Sequence, residues 1–406
     1  MTDFTEMSFR DDRLHGGLAT GRCGSLDNRS GDEQFQIMAK QADSKSRVNA
    51  SRRVLPRELV VFYRGCGTYS PLGDCWHLQV RGSVFTASNS RIRKGILLQL
   101  FKRVVKPENA VDVRQRFHDR ARLFLQDGRK GKSLPIAIAE KAFQLPDTLP
   151  NGQFEATITI PVSELESSIQ TDDFGRKFVQ FCSRLPEEDP RLFTGEIELV
   201  PPRGVSIVSD VDDTIKVSNV QDRKELLANT FTREFRGVEG MRNLYQHWAR
   251  HQTSFHYVSA SPWPLYRPLI DWLDTDAFPM GTLHLRHVRL RDLRGDRTRE
   301  AAFRSKRHAV ENLLRLYPER RFVFCGDSGE RDAELYGEIA RHFGNQVAYI
   351  AIRNCGGKHA SLGNVSARLE HLPSDRWTIF EDPAELTDLV PRILAESNGV
   401  PVADRR

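Results

Sequence analysis

The sequence predicts an α/β protein, a doubly wound parallel sheet preceded by a smaller β-rich domain of sandwich or barrel type. Three observations carry this. Before Pro201–Pro202, apolar residues fall in short β-prone runs, several of them separated by turn residues. After it, short continuous apolar runs alternate with amphipathic segments of helical period, the pattern of a parallel sheet with crossover helices. Several of these later runs end on carboxylates or hydroxyls, and such sheets bind ligands beyond the carboxyl ends of their strands.

Residues 1–54 are rich in Asp, Ser, Arg, Gly and Gln without a sustained apolar period, which predicts a disordered polar tail. Residues 55–200 form the β-rich domain: 58–65, 76–85, 95–101, 154–162 and 195–200 read as strands, and 110–126 as a helix. Residues 201–400 form the α/β domain. Its strands are expected at 205–208, 255–258, 283–288, 321–325 and 347–352, and its helices at 238–251, 263–273, 306–317 and 331–343. Residues 356–375 read as loop, and 382–394 as a last helix.

Composition narrows the function classes. Of the 406 residues, 39% are hydrophobic and 28% charged, close to globular averages. No apolar run approaches the ~20 residues of a membrane span. The net charge of +6 is too small to call for nucleic acid, and none is expected as a partner. Six cysteines without a C-x-x-C pair predict reduced thiols. The acidic N-terminal stretch lacks a cationic region leading into an apolar core, so a cytoplasmic location is expected.

Chemistry concentrates at strand ends. In IVSDVDDTIKVSNV (207–220) a buried-type strand runs into Asp210, Asp212 and Asp213, whose mutual repulsion favours a hard cation unless the segment is merely an acidic turn. RFVFCGDSGERD (321–332) repeats the design with Gly326, Asp327 and Asp332, the last being equally suited to a metal site or to a helix N-terminus. Ser259, ending the strand 255–258, either bonds a phosphate oxygen or caps a helix. Lys306 shares a helical face with Val310, Leu313, Leu314 and Tyr317 and is expected inward, near a helix start, with a snorkelling surface lysine as the alternative.

In this order and context, Asp210-x-Asp212-x-Thr214, Ser259, Lys306 and Gly326–Asp327 with Asp332 resemble the four motifs of the haloacid-dehalogenase superfamily of aspartate-nucleophile phosphohydrolases. SDVDDTIKVSNV, YVSASPWPLY, the helix from Lys306 and FCGDSGERDAELY are similar, more closely, to the phosphatidate phosphatase catalytic domain family, over about 200–355. The FYRGCGTYSP segment is also similar to the domain that precedes the catalytic domain in bacterial members.

The resemblance implies a haloacid-dehalogenase-like fold and a Mg²⁺-dependent phosphatidate phosphatase that forms an aspartyl-phosphate and releases diacylglycerol. Asp210 is then the nucleophile and Asp212 the acid and later the base. Thr214, Ser259 and Lys306 bind the phosphoryl oxygens. Mg²⁺ falls to Asp210, Asp212 through its carbonyl, Asp327 and Asp332.

Two features bear on substrate. The stretch 215–237 is long enough for a small flap, whose Leu226, Leu227, Phe231 and Phe235 either meet acyl chains or pack on the body. Residues 284–307 carry nine Arg or Lys against three acids, either a solvated face or a basic surface for peripheral contact with an anionic membrane. The competing readings are a phosphomonoesterase of the same mechanism on a soluble metabolite or phosphoprotein, a phosphotransferase with an alcohol as acceptor, and a catalytically silent lipid- or protein-binding module.

Overall fold

Alternation along the strands decides the first sheet. In β3 (Cys75–Ala87) the side chains of Leu78, Val80 and Val84 turn inward, and in β7 (Gln153–Pro161) those of Phe154, Ile158 and Ile160, while the residues between them are more exposed. The two strands pair antiparallel over nine residues, so their inward sets share one core with Ile136, Val179, Phe181, Ile197 and Leu199. Strands β1 (Leu59–Tyr63), β2 (Gly65–Ser70), β4 (Gln126–Gly128), β5 (Pro135–Ile138), β6 (Lys141–Gln144), β8 (Ile169–Thr171), β9 (Lys177–Ser183) and β10 (Thr194–Val200) complete a ten-stranded sheet. All its pairs are antiparallel except β2 with β10. Helix α1 (Val111–Leu123) follows β3 in the chain.

These features come from a computed structural model that describes residues 52–87, 95, 111–286, 297–356 and 362–397. The proposed tail, apart from its last three residues, and the strand at 95–101, apart from Gly95, lie outside the described residues, as does 287–296 of the basic stretch.

The second sheet is parallel throughout: β11 (Val205–Asp210), β12 (Ser254–Pro262), β13 (Thr282–Arg286), β14 (Arg321–Asp327), β15 (Val347–Arg353) and β16 (Trp377–Phe380), in the order β13-β12-β11-β14-β15-β16. Its strands read as continuous apolar runs because both faces are covered. On one side Ile207, Phe255, Tyr257 and Val323 meet α3 (Met241–Ala249), α4 (Tyr266–Thr275) and α8 (Leu389–Ser397). On the other, Val208, Val258, Phe324 and Ile350 meet α5 (Arg297–Leu316), α6 (Asp332–His342) and α7 (Leu362–Leu369). Helix α2 (Arg223–Phe231) lies between β11 and α3 in the chain.

Several expectations need correction. Helix α7 occupies part of the expected loop at 356–375, because Val365 and Leu369, four residues apart, bury one face. The last helix is two pieces, a 3₁₀ turn Pro383–Leu386 inside a capping box from Asp382 and Glu385, then α8. Strands β2, β4, β5, β6, β8, β9 and β16 were not foreseen; five of them are three or four residues long, too short to show a period.

The chain runs outward from β11 through β12 to β13 and then returns to β14 on the other side of β11. The carboxyl ends of β11 and β14 therefore flank the switch point, which is where Asp210 and Asp327 stand.

The two sheets share core. Tyr63 stacks on Trp263 at 4.1 Å between ring centroids, and Arg64 grips Asp274 with two bonds of 2.8 and 2.9 Å. Below the second sheet, His256 and His284 both bond Thr282 Oγ1. Burial, with the charges of Arg320 and Arg81, pushes His256 down to about 3, and burial beside Arg81 and His256 also depresses His284. A histidine that stays neutral in the fold but takes a proton when unfolded stabilises above its ordinary pKa, and that contribution falls away as pH drops toward the folded value. Between neutral pH and pH 5 the burial of His256 is expected to cost about 2 kcal/mol of stability, with His284 acting in the same direction. Denaturant titrations of wild type and His256→Asn across this range check it: the variant is expected to lose less, and equal losses would remove His256 as a cause.

Candidate active site

β11 delivers Asp210 into a fully buried position, and the chain then reverses within a tight loop. Ile215 and Lys216 donate their backbone N–H groups back to Val211 O at 3.1 and 2.9 Å. Asp213 adopts a left-handed φ of 58°, unusual for a residue other than glycine. Its carboxylate organises the turn, accepting from the N–H groups of Ser218 (2.8 Å), Asn219 (2.7 Å) and Val220 (2.6 Å). The acidic run is thus divided by task, Asp213 holding the loop while Asp210 and Asp212 face inward.

Asp210, Asp327, Glu330 and Asp332 bring carboxylate oxygens within 4.8 Å of one another. Lys306 reaches among them from α5, its Nζ lying 2.6 Å from Asp210 Oδ1, 2.6 Å from Glu330 Oε2 and 3.0 Å from Asp332 Oδ1. The inward orientation matches expectation, but the helix begins at Arg297, so Lys306 sits in its third turn and not near its start. The closeness of Asp332 explains Gly326, where an added Cβ would stand 2.6 Å from the Asp332 Cβ. Asp332 Oδ2 also accepts from the Asp327 N–H at 3.2 Å.

Glu330 is the cluster member that sequence reading missed. What turns it inward is Asp327, whose Oδ1 accepts from the N–H groups of Gly329 (2.6 Å) and Glu330 (3.0 Å).

Asp212 lies beside the cluster but in different company. Its oxygens accept from Ser218 Oγ (2.7 Å), Ser259 Oγ (2.9 Å) and Ser261 Oγ (3.1 Å), and Lys216 Nζ is 2.8 Å away. β12 runs on to Pro262, past the end expected at 258, so Ser259 meets Asp212 from within the strand, and Thr214 Oγ1 donates to Asp210 Oδ2 at 3.2 Å. Lys216 and Ser218 were not singled out from sequence; Ser261, two residues after Ser259, was placed with it.

The two inward aspartates are driven in opposite directions. Burial, with Asp332, Glu330 and Asp327 nearby, outweighs Lys306 and pushes Asp210 well above the carboxylate range; burial and the neighbouring acids raise Asp327 as well. Burial also opposes a charge on Asp212, but Lys216 and the bonds from Ser218 and Ser259 overcome it and hold that carboxyl low. Lys306 is held firmly protonated, since Asp210, Asp332 and Glu330 outweigh its burial.

One ammonium among four carboxylates leaves an excess of negative charge, and Asp327 Oδ2 is buried with no hydrogen-bond partner. An all-oxygen donor set with an orphaned carboxylate oxygen fits a hard divalent cation. The carboxylate of Asp212 is turned toward the serines and Lys216 and lies outside this set.

Residues 205–354 match the family model described as the catalytic domain of phosphatidate phosphatase APP1. This segment belongs to that family. Over 199 residues the chain is 30% identical to phosphatidate phosphatase APP1 of Saccharomyces cerevisiae, the alignment covering 48% of this chain and 32% of that protein. It is also 30% identical over 173 residues to an uncharacterized protein of Schizosaccharomyces pombe, covering 40% and 27%. The chain thus spans about a third of the length of the curated relatives it matches. Among solved structures, a β-glucuronidase of Parabacteroides merdae aligns at a TM-score of 0.23 and 12% identity, over 73% of this chain and 34% of that one, a likeness too slight to carry any argument. The matched residues include every member of the carboxylate cluster, from Asp210 to Asp332.

Cation binding by this cluster is expected to strengthen as pH rises, because Asp210 and Asp327 must shed the protons that burial favours. Asp327→Asn is expected to weaken it by more than about 100-fold, since even outer-sphere partners are worth that much. Calorimetric titration with Mg²⁺ at several pH values measures both; affinity independent of pH would show that these carboxyls are not the ligands.

Proposed function

We propose that the chain is a phosphatidate phosphatase with a haloacid-dehalogenase-like catalytic domain over 201–400 and a β-rich accessory domain over 55–200, acting on phosphatidate at an anionic membrane surface from the cytoplasm. The observation that carries the reading is Asp210, buried at the end of the central strand among Lys306, Asp327 and Asp332, in a segment of this family.

In this reading Asp210 attacks phosphorus in line and becomes an aspartyl-phosphate, splitting one difficult displacement into two. Thr214, which bonds one oxygen of Asp210, orients the other toward the substrate. Asp212 protonates the departing alkoxide and later takes a proton from the water that hydrolyses the intermediate. Lys216 and the serines hold it as a free carboxylate, and the negative charge of an arriving phosphoryl group raises its proton affinity toward what both tasks need. Ser259 and Lys306 supply donors to the phosphoryl oxygens once they exchange their carboxylate partners for substrate. Mg²⁺, held by Asp210, Asp327 and the Asp212 carbonyl, with Glu330 and Asp332 beside it, would offset the charge of phosphate entering a carboxylate-rich site.

One observation favours the second reading, a soluble phosphomonoester. The cavity beside the loop after β11, about 310 Å³, is lined by Asp213, Asn219, Asp222, Glu225 and Arg353 as well as Val217, Val238 and Cys355, so it offers charged groups to a polar leaving group. The flap's apolar residues do not line it: Phe231 packs on Phe117 and Phe124, with Leu227 beside them.

Phosphate release from phosphatidate in mixed micelles, with Mg²⁺ or EDTA and with a soluble phosphomonoester alongside, tests the choice. Metal-dependent release is expected from the lipid, falling by at least about 10⁴-fold in Asp210→Asn. Cleavage of the soluble ester alone would sink the lipid assignment, and silence from folded enzyme on both would bring the binding-module reading forward.

A further inference from the structure

The helix α1 belongs in sequence to the β-rich part, far from the strand ends of the second sheet, yet it is tied to the loop that carries Asp212. Arg120 is nearly buried, and its guanidinium donates to Thr230 O at 2.8 Å, Arg233 O at 2.7 Å and Asn229 O at 3.4 Å. These carbonyls lie at the C-terminal end of α2, where a helix leaves its last carbonyls without internal partners. One turn earlier, Arg116 donates to Thr232 O at 2.9 Å.

From there two short paths lead to Asp212. Asn229 is buried on α2 and donates through Nδ2 to Ser218 O at 2.9 Å, and Ser218 Oγ donates to Asp212 Oδ1. The other runs through Phe235: the Arg120 guanidinium carbon stands 3.8 Å from the ring centroid, and Lys216 Nζ 5.1 Å from it. Lys216 in turn ion-pairs with Asp212.

We propose that Arg120 is a positioning residue of the phosphatase reaction, setting the Asp212 carboxylate through Phe235–Lys216 and through Asn229–Ser218, so that the β-rich part completes the active site. This rests on the function proposed above, with Asp212 as acid and base. The physical ground is the number of fixed bonds. Lys216 and Ser218 lie on a loop, and a loop holds a side chain to a fraction of an ångström only if its own anchors are held. One guanidinium nitrogen, Nη1, reaches all three carbonyls while the guanidinium plane lies over the Phe235 ring; a lysine ammonium can meet carbonyls but has no flat face for the ring.

The test compares wild type with Arg120→Met, Arg120→Lys and Phe235→Leu, and with Gln115→Ala on the exposed face of α1 as a control. Arg120→Met is expected to lower kcat between about 10- and 100-fold, the scale of a misplaced reacting group, while KM for the same phosphomonoester changes less than about threefold. Arg120→Lys recovers part of the loss, Phe235→Leu shows the same split, and Gln115→Ala shows neither. Hydrogen exchange in parallel is expected to show faster exchange over 216–236 in Arg120→Met, with exchange in the β14 and β15 peptides unchanged.

Unchanged kcat in folded Arg120→Met, a rise in KM alone, or unchanged exchange over 216–236 would overturn the proposal. If Arg120→Met does not fold, Phe235→Leu and Arg120→Lys decide by the same kinetic split. If the wild type hydrolyses no phosphomonoester, the functional reading has failed, and the exchange over 216–236 alone decides whether Arg120 holds this loop.

Discussion

Four carboxylates within 4.8 Å of one another around a single ammonium, three of them buried and Glu330 half-buried, are the constraint on which the rest of this molecule depends. Each buried charge carries a desolvation penalty, and like charges at this range repel strongly in a medium of low dielectric. The fold meets that cost with backbone it controls tightly. Asp210 and Asp327 end adjacent strands at the switch point of the parallel sheet, and Asp332 opens a helix packed on Gly326. Lys306 is delivered from a long helix whose apolar stripe is locked against the sheet.

Against that cluster stands a second environment only two residues away. Asp212 is surrounded by three hydroxyls and Lys216, so its carboxylate is stabilised where that of Asp210 is penalised. The two neighbouring acids thus differ in proton affinity, and the difference comes from their surroundings, not from the residues themselves. The left-handed turn at Asp213 makes the separation, since it sends the chain back so that Lys216 and Ser218 close over Asp212. The β-rich part reaches this arrangement from two sides, through Tyr63 on Trp263, four residues after Ser259, and through α1 on the flap helix.

Periodicity made the second sheet readable. Its strands are short apolar runs covered on both faces, and the helices between them carry stripes at i, i+3 and i+4, so type and order follow from local pattern. Strands such as GCGTYS and WTIF escaped because their burial comes from neighbours distant in sequence. Of the site, Asp332 read equally as a helix N-terminal acid, while Asp210, Asp212 and Asp327 announced themselves by ending apolar runs with charge. Glu330 did not, because nothing local separates it from a solvated loop acid; the bonds from Asp327 Oδ1 turn it inward.

The sequence alone determined which residues carry the charge and the order in which the strands present them, because strand-end acids and apolar period are local properties of the chain. Only the tertiary structure decided how those residues are grouped. It placed Glu330 with Asp210 and turned the Asp212 carboxylate to the serines and Lys216. It also placed α1 behind the flap. Such groupings depend on which distant backbones lie side by side after packing, and no local pattern encodes a distance between residues a hundred positions apart.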